Sequence, residues 1–309
     1  MTTNTMVKSN PRIEHLETES PKNGNNGPIP YPKILRLIRF GFGTLGRVFP
    51  GPASNYALKL FGTPRFRARH KTSDPILESA RNFEFSSRGL NLKGYEWGNG
   101  DHFILLVHGW ESRGTALRTF VPDLVNAGFK VVTFDAPAHG DSPGNRTHIV
   151  DFAEAISDLL KTKGNPYGII THSLGGAATI FAFHRLAHEL EAKKVALIAS
   201  PRNIQDPINE AIETLNLPGN VSQRFVNKIE DILKLSVTET TLANAAGKVN
   251  IENLLLIHDM NDKVVPFRAA ETNFAAFKNS KLVTTQGLGH YLLIKDPKVI
   301  HKVTEFISS

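Results

Sequence analysis

Residues 167–176 read YGIITHSLGG, and this stretch decides the fold. A short apolar run ends at Ile170, a serine follows at Ser173, and small residues then open a second apolar segment. A buried strand, a sharp turn and a helix are typical of this order of residue types. In such a turn, called a nucleophile elbow, the chain reverses so tightly that the serine Oγ projects clear of the backbone. The stretch therefore makes Ser173 a candidate nucleophile.

A serine nucleophile needs a general base and hydrogen-bond donors for the oxyanion that it creates. The chain offers candidates for both, each directly after an apolar run. FILLV at residues 103–107 leads into His108-Gly109-Trp110, LLLI at 254–257 leads to Asp262, and KLV at 281–283 leads to His290. The alternative role of Ser173, an N-cap of the following helix, explains none of these later residues.

The order Ser, Asp, His, with each residue just past an apolar run, resembles the α/β-hydrolase superfamily over roughly residues 85–309. The resemblance implies a catalytic triad in which Ser173 is the nucleophile, His290 the base and Asp262 the acid that orients His290. It also implies an oxyanion hole formed by the backbone N–H groups of Trp110 and Leu174.

Two features of the site stay open at this point. Asp259 competes with Asp262, although the acid of the family usually stands four residues before a proline, as Asp262 does before Pro266. Thr171 stands where the family motif has glycine, which puts the ideal geometry of the elbow in doubt.

Two further groups of polar residues lie between Trp110 and Ser173 in the sequence. Residues 135–142, DAPAHGDS, resemble the D-x-P-x-H-G-x-S loop of the family, and we expect Asp135 and His139 to pin loops near the site. Glu111 and Arg113 follow the oxyanion turn. They are either polar groups of the pocket or members of a local ion pair.

The hydrophobic pattern predicts an α/β fold. Alternating residues from 82 to 94 indicate an antiparallel hairpin that turns at Arg88-Gly89, and continuous apolar runs then alternate with helical segments. Such runs are typical of strands buried on both faces. We therefore predict a mostly parallel sheet of about eight strands with helices on both faces. Two or three amphipathic helices at about 202–248 lie where the family carries a cap, so the resemblance implies a helical cap insertion within an α/β-hydrolase domain spanning 76–309.

The positive charge of the chain is concentrated in one segment. The net charge is +7, yet residues 31–71 carry nine Lys and Arg and no Asp or Glu, and residues 1–30 are balanced. We predict a disordered polar tail at 1–30 and a basic amphipathic segment at 31–75. The basic segment could pack on the hydrolase body, or residues 31–71 could contact an anionic membrane surface. Nucleic acid is not expected, because no recognition motif accompanies the charge.

Composition limits the classes of function further. The chain has 309 residues, 40% hydrophobic, and no cysteine, which excludes disulfides, thiolate metal sites and a cysteine nucleophile. No secretory signal or apolar membrane span is visible, so we expect a cytoplasmic protein, with peripheral membrane contact left open.

The resulting prediction is a serine hydrolase that cleaves a carboxylic ester with a hydrophobic acyl group. No cofactor and no metal are expected. A thioesterase or a carbon–carbon bond hydrolase could use the same triad, and a non-catalytic ligand-binding protein could keep the same fold.

Overall fold

The computed structural model describes residues 10–18, 33–69, 73–185 and 190–309. Within these residues the strands form one sheet. They are β1 (Ile13–His15), β2 (Arg81–Ser87), β3 (Leu90–Trp97), β4 (Phe103–Val107), β5 (Lys130–Phe134), β6 (Gly168–His172), β7 (Glu191–Ile198), β8 (Asn250–Asp259) and β9 (Ser280–Thr285). The order across the sheet is β1-β9-β8-β7-β6-β4-β5-β3-β2. Only the β2–β3 and β3–β5 pairs are antiparallel among the described strands.

Helices occupy most of the segments between the strands, and two follow the last strand. They are α1 (Lys33–Gly43), α2 (Leu45–Val48), α3 (Pro50–Phe61), α4 (Pro75–Glu78), α5 (Val121–Asn126), α6 (Ile149–Lys163), α7 (Leu174–Arg185), α8 (Gln205–Leu215), α9 (Gly219–Leu233), α10 (Leu242–Ala245), α11 (Arg268–Ala276), α12 (Gly289–Leu292) and α13 (Pro297–Ser308). Short 3₁₀ helices lie at Gly114–Phe120 and Val237–Glu239.

The predicted α/β architecture is confirmed. Strands β4 and β6 are buried at every residue, as continuous apolar runs require, and they lie side by side in the middle of the sheet. The hairpin also forms where it was predicted, because Arg88 and Gly89 both adopt the positive φ of a tight turn, with φ of 49° and 75°. Since the carboxyl ends of parallel strands meet at one edge, the turns after β4, β6, β8 and β9 come together there.

The sheet has nine described strands rather than about eight because an edge strand forms inside the segment predicted to be a disordered tail. β1 pairs in parallel with β9, with Ile13 opposite Leu282. The Arg12 guanidinium donates to the backbone oxygens of Lys278 and Ser280 and lies 4.4 Å from the ring centre of Phe274. These contacts use backbone groups and one cation, so polar composition alone did not predict them. Residues 1–9 and 19–30 of the predicted tail lie outside the described residues.

The chain divides into two compact units. The first comprises Met1–Pro21, Pro64–Arg202 and Leu242–Ser309, and it contains the sheet. The second comprises Lys22–Thr63 and Asn203–Thr241. The basic segment up to Thr63 thus shares a unit with residues 203–241 of the insertion, and a cap function for residues 202–248 stays a prediction.

Contacts inside the second unit join the basic segment to the insertion. Phe61 of α3 meets Phe225 of α9 edge to face at 5.5 Å between ring centres. The Arg39 guanidinium donates to the carbonyl oxygens of Glu213 and Thr214 at the end of α8, where the helix dipole favours a cation. The predicted amphipathic segment therefore packs one face on the insertion helices.

Candidate active site

Ser173 occupies the turn between β6 and α7, and its backbone has φ of 55°. A residue with a Cβ is uncommon in this left-handed region, and such strain is found mainly at functional sites. The Ser173 N–H donates to the Ile198 carbonyl at 2.9 Å, which fixes the turn on the end of β7. Ser173 is half-buried, whereas Thr171 and His172 before it are buried. The conformation is the one that a nucleophile elbow requires.

Two glycines allow the turn after β4 to approach this serine. A Cβ at Gly109 would lie 2.9 Å from the Ser173 Cβ, and a Cβ at Gly175 would lie 2.5 Å from the Val107 carbonyl oxygen. Both distances are too short for real side chains. The glycines therefore allow residues 107–110 to contact the elbow. Trp110 directly follows Gly109, which lies against Ser173.

Thr171, the residue that departs from the family motif, is accommodated without an unpaired polar group. Its hydroxyl donates to the Ala196 carbonyl on β7 at 3.1 Å, and the side chain is fully buried. A Cβ at Gly176 would lie 1.8 Å from the Ser200 Oγ and 3.0 Å from the Thr171 Oγ1, so glycine at 176 makes room for both side chains. Thr171 thus fits beside the elbow, in which Ser173 keeps its positive φ.

The structure brings Asp262 and His290 together. The His290 Nδ1–H donates to the Asp262 Oδ2 at 2.8 Å, and both side chains are buried. The other carboxylate oxygen of Asp262 accepts from the N–H groups of Val264 and Val265 at 2.8 and 2.9 Å. Burial acts to raise the pKa of Asp262, but the hydrogen bonds and charge of His290 and the two N–H donors outweigh it and hold that pKa below its usual range.

Asp259, the competing acid, has different partners. Its carboxylate accepts from the Thr285 hydroxyl at 2.8 Å and from the Leu288 N–H at 2.9 Å, as well as from the N–H groups of Asn261 and Gly287. Asp259 is fully buried. It therefore ties the end of β8 to the turn that carries His290, and it accepts no hydrogen bond from the His290 ring among the described contacts.

Two histidines beside this pair were not assigned roles from the sequence. The His172 Nε2–H donates to the His290 backbone oxygen at 2.9 Å, and the rings lie 4.8 Å apart. The His258 Nε2–H donates to the Val265 carbonyl at 2.8 Å and lies 3.6 Å from the Asp262 carboxylate. A histidine directly before the elbow serine was the only sequence signal, and nothing in its spacing identified His290 as its partner.

Burial keeps His172 neutral and sets up a pH dependence of stability. Burial, together with the charge of His290, lowers the pKa of His172 from 6.5 to about 4. As pH falls from 6.5 toward 4, the unfolded state binds this proton before the folded state does. Stability is therefore present above pH 6.5 and lost toward pH 4, by at most about 3 kcal/mol for this group.

The variant His172→Gln keeps an Nε2 donor but has no such titration. We expect its free energy of unfolding to fall less steeply than that of the wild type between pH 6.5 and 4, with urea unfolding followed by tryptophan fluorescence. Above pH 7 the two proteins should show the same pH slope. Parallel curves over the whole range would rule out His172 as the titrating group.

Two neutral histidines fix the turn after β4 on the loop after β5. His108 donates from Nδ1 to the Gly109 carbonyl at 2.7 Å and accepts at Nε2 from the Ala136 N–H at 3.0 Å. His139 accepts at Nε2 from the Glu111 N–H at 3.0 Å, and burial lowers the pKa of His139 to about 3. These bonds orient the backbone on either side of Trp110.

Asp135 pins the same loop, as the sequence predicts. It is fully buried and accepts from the Gly114 N–H at 2.6 Å, the Asp141 N–H at 2.8 Å and the Tyr95 hydroxyl at 3.0 Å. Burial, with the neighbouring charge of Asp135, raises the pKa of Tyr95 well above its usual value. Tyr95 therefore remains a hydrogen-bond donor to this carboxylate.

Residues 65–69 of the basic segment lie along these loops. Arg65 binds the Glu111 carboxylate through Nε at 3.1 Å, through Nη2 at 3.2 Å and through its backbone N–H at 2.6 Å. Arg113 donates to the Thr115 hydroxyl at 3.0 Å and to the Arg69 carbonyl. Glu111 thus forms an ion pair with Arg65, whereas the described contacts of Arg113 are with Thr115 and Arg69 and not with Glu111.

A family model described as the alpha/beta hydrolase family matches residues 104–225, and one described as TAP-like protein matches residues 234–309. The two matches cover the sheet from Ile104 in β4 through β9, together with the loops that carry Ser173, Asp262 and His290. The chain belongs to the α/β-hydrolase superfamily. No curated protein matches this chain.

Solved structures with the same α/β-hydrolase fold include an esterase from Pyrococcus furiosus, with 18% identity, 78% of this chain and 96% of that chain covered, and a TM-score of 0.58. A bromoperoxidase from Bacillus anthracis is 21% identical over 74% of this chain and 99% of its own, with a TM-score of 0.57. A 2-hydroxy-6-oxo-6-phenylhexa-2,4-dienoate hydrolase from Rhodococcus is 20% identical over 74% and 99%, with a TM-score of 0.55. At these identities the likeness concerns the fold.

Proposed function

We propose that this α/β-hydrolase is a serine hydrolase that cleaves carboxylic esters through an acyl-enzyme. Ser173 is the nucleophile, His290 the general base and Asp262 the acid that orients His290. The observation that carries the proposal is the buried contact of 2.8 Å between the His290 Nδ1 and the Asp262 Oδ2, with Ser173 held at a φ of 55° in the adjoining elbow. His172 connects Ser173 to His290, because it directly precedes Ser173 and its ring donates a hydrogen bond to the His290 backbone.

In the first half of the reaction, the Ser173 Oγ attacks the ester carbonyl and its proton passes to the His290 Nε2. Because the Asp262 carboxylate accepts from Nδ1–H, the neutral ring carries its lone pair on Nε2, as a base requires. The depressed pKa of Asp262 keeps its carboxylate charged, so that it stabilises the imidazolium that forms.

The carbonyl oxygen that becomes negative needs N–H donors. Leu174 is the first residue of α7, so its N–H has no acceptor within the helix and lies at the positive end of the helix dipole. Trp110 supplies the second N–H from the turn that Gly109 brings against Ser173. Each such donor is worth about 3 kcal/mol in the transition state.

In the second half, the tetrahedral intermediate collapses and the bond to the leaving oxygen breaks. The His290 imidazolium returns its proton to the departing alcohol, which leaves an ester between Ser173 and the acyl group. Water then gives a proton to His290 and attacks this ester, and the carboxylic acid departs as the Ser173 hydroxyl is restored. The cycle requires no redox step and no further reactant than water.

An activity-based probe tests the proposal directly. We expect a fluorophosphonate to label the wild-type chain on the peptide that contains Ser173, since it phosphonylates only activated serines. Mass spectrometry locates the label, and Ser173→Ala should abolish it. A panel of p-nitrophenyl esters of rising acyl length, with a thioester and a vinylogous diketone as controls for bond type, then measures which bond is cleaved.

Two outcomes would contradict the assignment of Ser173 as the nucleophile of a hydrolase, and a third would contradict only the ester bond. No labelling and no turnover at any pH between 6 and 9 would favour a ligand-binding protein that keeps the fold. Labelling that survives in Ser173→Ala would place the nucleophile elsewhere. Turnover of only the diketone would retain the triad but replace the ester with a carbon–carbon bond, the bond class named for the Rhodococcus structure.

A further inference from the structure

The surface of α1 and α2 carries large apolar side chains in contact with solvent. Leu37 is 65% exposed, Phe40 69% and Val48 68%. Three more residues in the same sixteen-residue stretch are more than half exposed: Ile34, Leu45 and Phe49. Single exposed apolar residues are ordinary, but a continuous group of them marks a surface that binds something.

These residues are not the face by which α1 packs. Phe42 is buried and Leu35 and Ile38 are half-buried, so they form the inner face of the helix. At about 100° per residue, Leu37 and Phe40 lie on the opposite side of the helix, and Ile34 lies at its edge. The helix therefore has one apolar face that packs on the protein and a second apolar face that is exposed to solvent.

A shallow hollow lies beside this face, on the side of α1 that carries Phe42. It has a volume of about 450 Å³ and lies between α1, α2 and α3, where Phe42, Leu45, Phe49 and Tyr56 line it. The Phe42 and Tyr56 rings form one wall, with ring centres 5.9 Å apart. Because Leu45 and Phe49 line the hollow and are themselves exposed, an apolar chain end can enter it next to the exposed apolar residues.

The charges carried by these three helices have one sign. Lys33, Arg36, Arg47 and Lys59 are exposed on the same three helices, and residues 31–71 contain no acidic residue. On α1, Lys33 and Arg36 fall in the same outward arc as Leu37 and Phe40. Long basic side chains can extend to headgroups while apolar neighbours enter the acyl region.

We propose that the outward face of α1–α3 docks this protein on a membrane surface rich in anionic lipid. Apolar side chains with a basic rim fit the boundary between acyl chains and anionic headgroups. A second copy of the chain would bring these like charges together, and nucleic acid offers nothing to aliphatic side chains such as Leu37. None of the helices in the described parts of the chain has the length and apolar character of a membrane span.

The test measures binding of the full chain to vesicles by sedimentation. We expect binding to phosphatidylcholine vesicles with about 30% phosphatidylserine, weak binding without it, and loss of binding as salt rises. Replacing Lys33, Arg36, Arg47 and Lys59 with glutamine should weaken binding at least roughly 100-fold. The separate variant Leu37→Ser with Phe40→Ser should weaken binding by a similar factor without changing thermal stability, because both side chains are already exposed.

A matched control removes the same charge elsewhere. Lys193, Lys278, Lys281 and Lys295 are exposed in the other unit, and their replacement with glutamine should leave vesicle binding within about twofold. An equal loss in this control, or equal binding of the wild type to neutral vesicles, would overturn the proposal. A lipid-independent dimer in analytical ultracentrifugation that Phe40→Ser converts to monomer would assign the face to a second copy.

Binding should persist in Ser173→Ala, which separates docking from catalysis. Vesicle binding that disappears in Ser173→Ala would mean that the protein is held by its substrate site, and the docking face would be refuted even if the hydrolase proposal stands.

Discussion

Replacing Ser173 with alanine is expected to lower kcat for a p-nitrophenyl ester by about 10⁵- to 10⁶-fold, with KM little changed. The substitution removes only Oγ, and the Ser173 N–H keeps its bond to the Ile198 carbonyl. The fold and the thermal unfolding midpoint should therefore stay as they are. Steady-state kinetics together with a thermal melt check both parts of this result.

The same experiment can show that Ser173 and His290 act as one unit. If His290 only activates Ser173, then His290→Ala alone and the double variant should each lose about as much activity as Ser173→Ala. If the losses of activity of the two single variants instead multiply in the double variant, Ser173 and His290 act independently, which would contradict this prediction. A residual activity of Ser173→Ala within about a hundredfold of wild type would also contradict the assignment, because that loss is too small for a nucleophile.

The main parts of this site could be predicted from the sequence because each one follows a buried strand. The apolar runs at 103–107 and 167–171 are local signals of strands in the centre of a parallel sheet, and such strands bring their carboxyl ends together. The elbow also has a local signal, since Gly175 and Gly176 follow Ser173 directly. Order along the chain was enough to place Ser173 and His290 at one edge.

What could not be predicted depends on contacts between distant residues. The hydrogen bond that the His172 ring donates to the His290 backbone joins residues 118 positions apart, and no periodic pattern in the sequence indicates it. Strand β1 was missed for the same reason, since its partner β9 lies more than 260 residues away and its three residues have no apolar run. The role of Thr171 also needed the structure, because only there does Gly176 make room for it.

Asp262→Asn is expected to lower kcat by about 10⁴-fold while leaving stability nearly unchanged. An amide at this position can donate to the His290 Nδ1, which would place the ring proton on Nε2 and remove the lone pair that accepts the Ser173 proton. The amide oxygen can still accept from the Val264 and Val265 N–H groups, so the turn after β8 keeps its hydrogen bonds. The measurement is kcat at pH 7.5 together with the urea midpoint.

Asp259→Asn is the matched control, because it makes the same chemical change three residues away. Four donors converge on the Asp259 carboxylate, and an amide has only one oxygen to accept them. Buried donors left without an acceptor cost about 1–3 kcal/mol each, so this variant should lose a few kcal/mol of stability. Its kcat should fall only about tenfold, through a less well-held His290 turn. The two variants therefore separate an acid that orients the base from one that holds the loop, and the reverse pattern would assign the orienting role to Asp259.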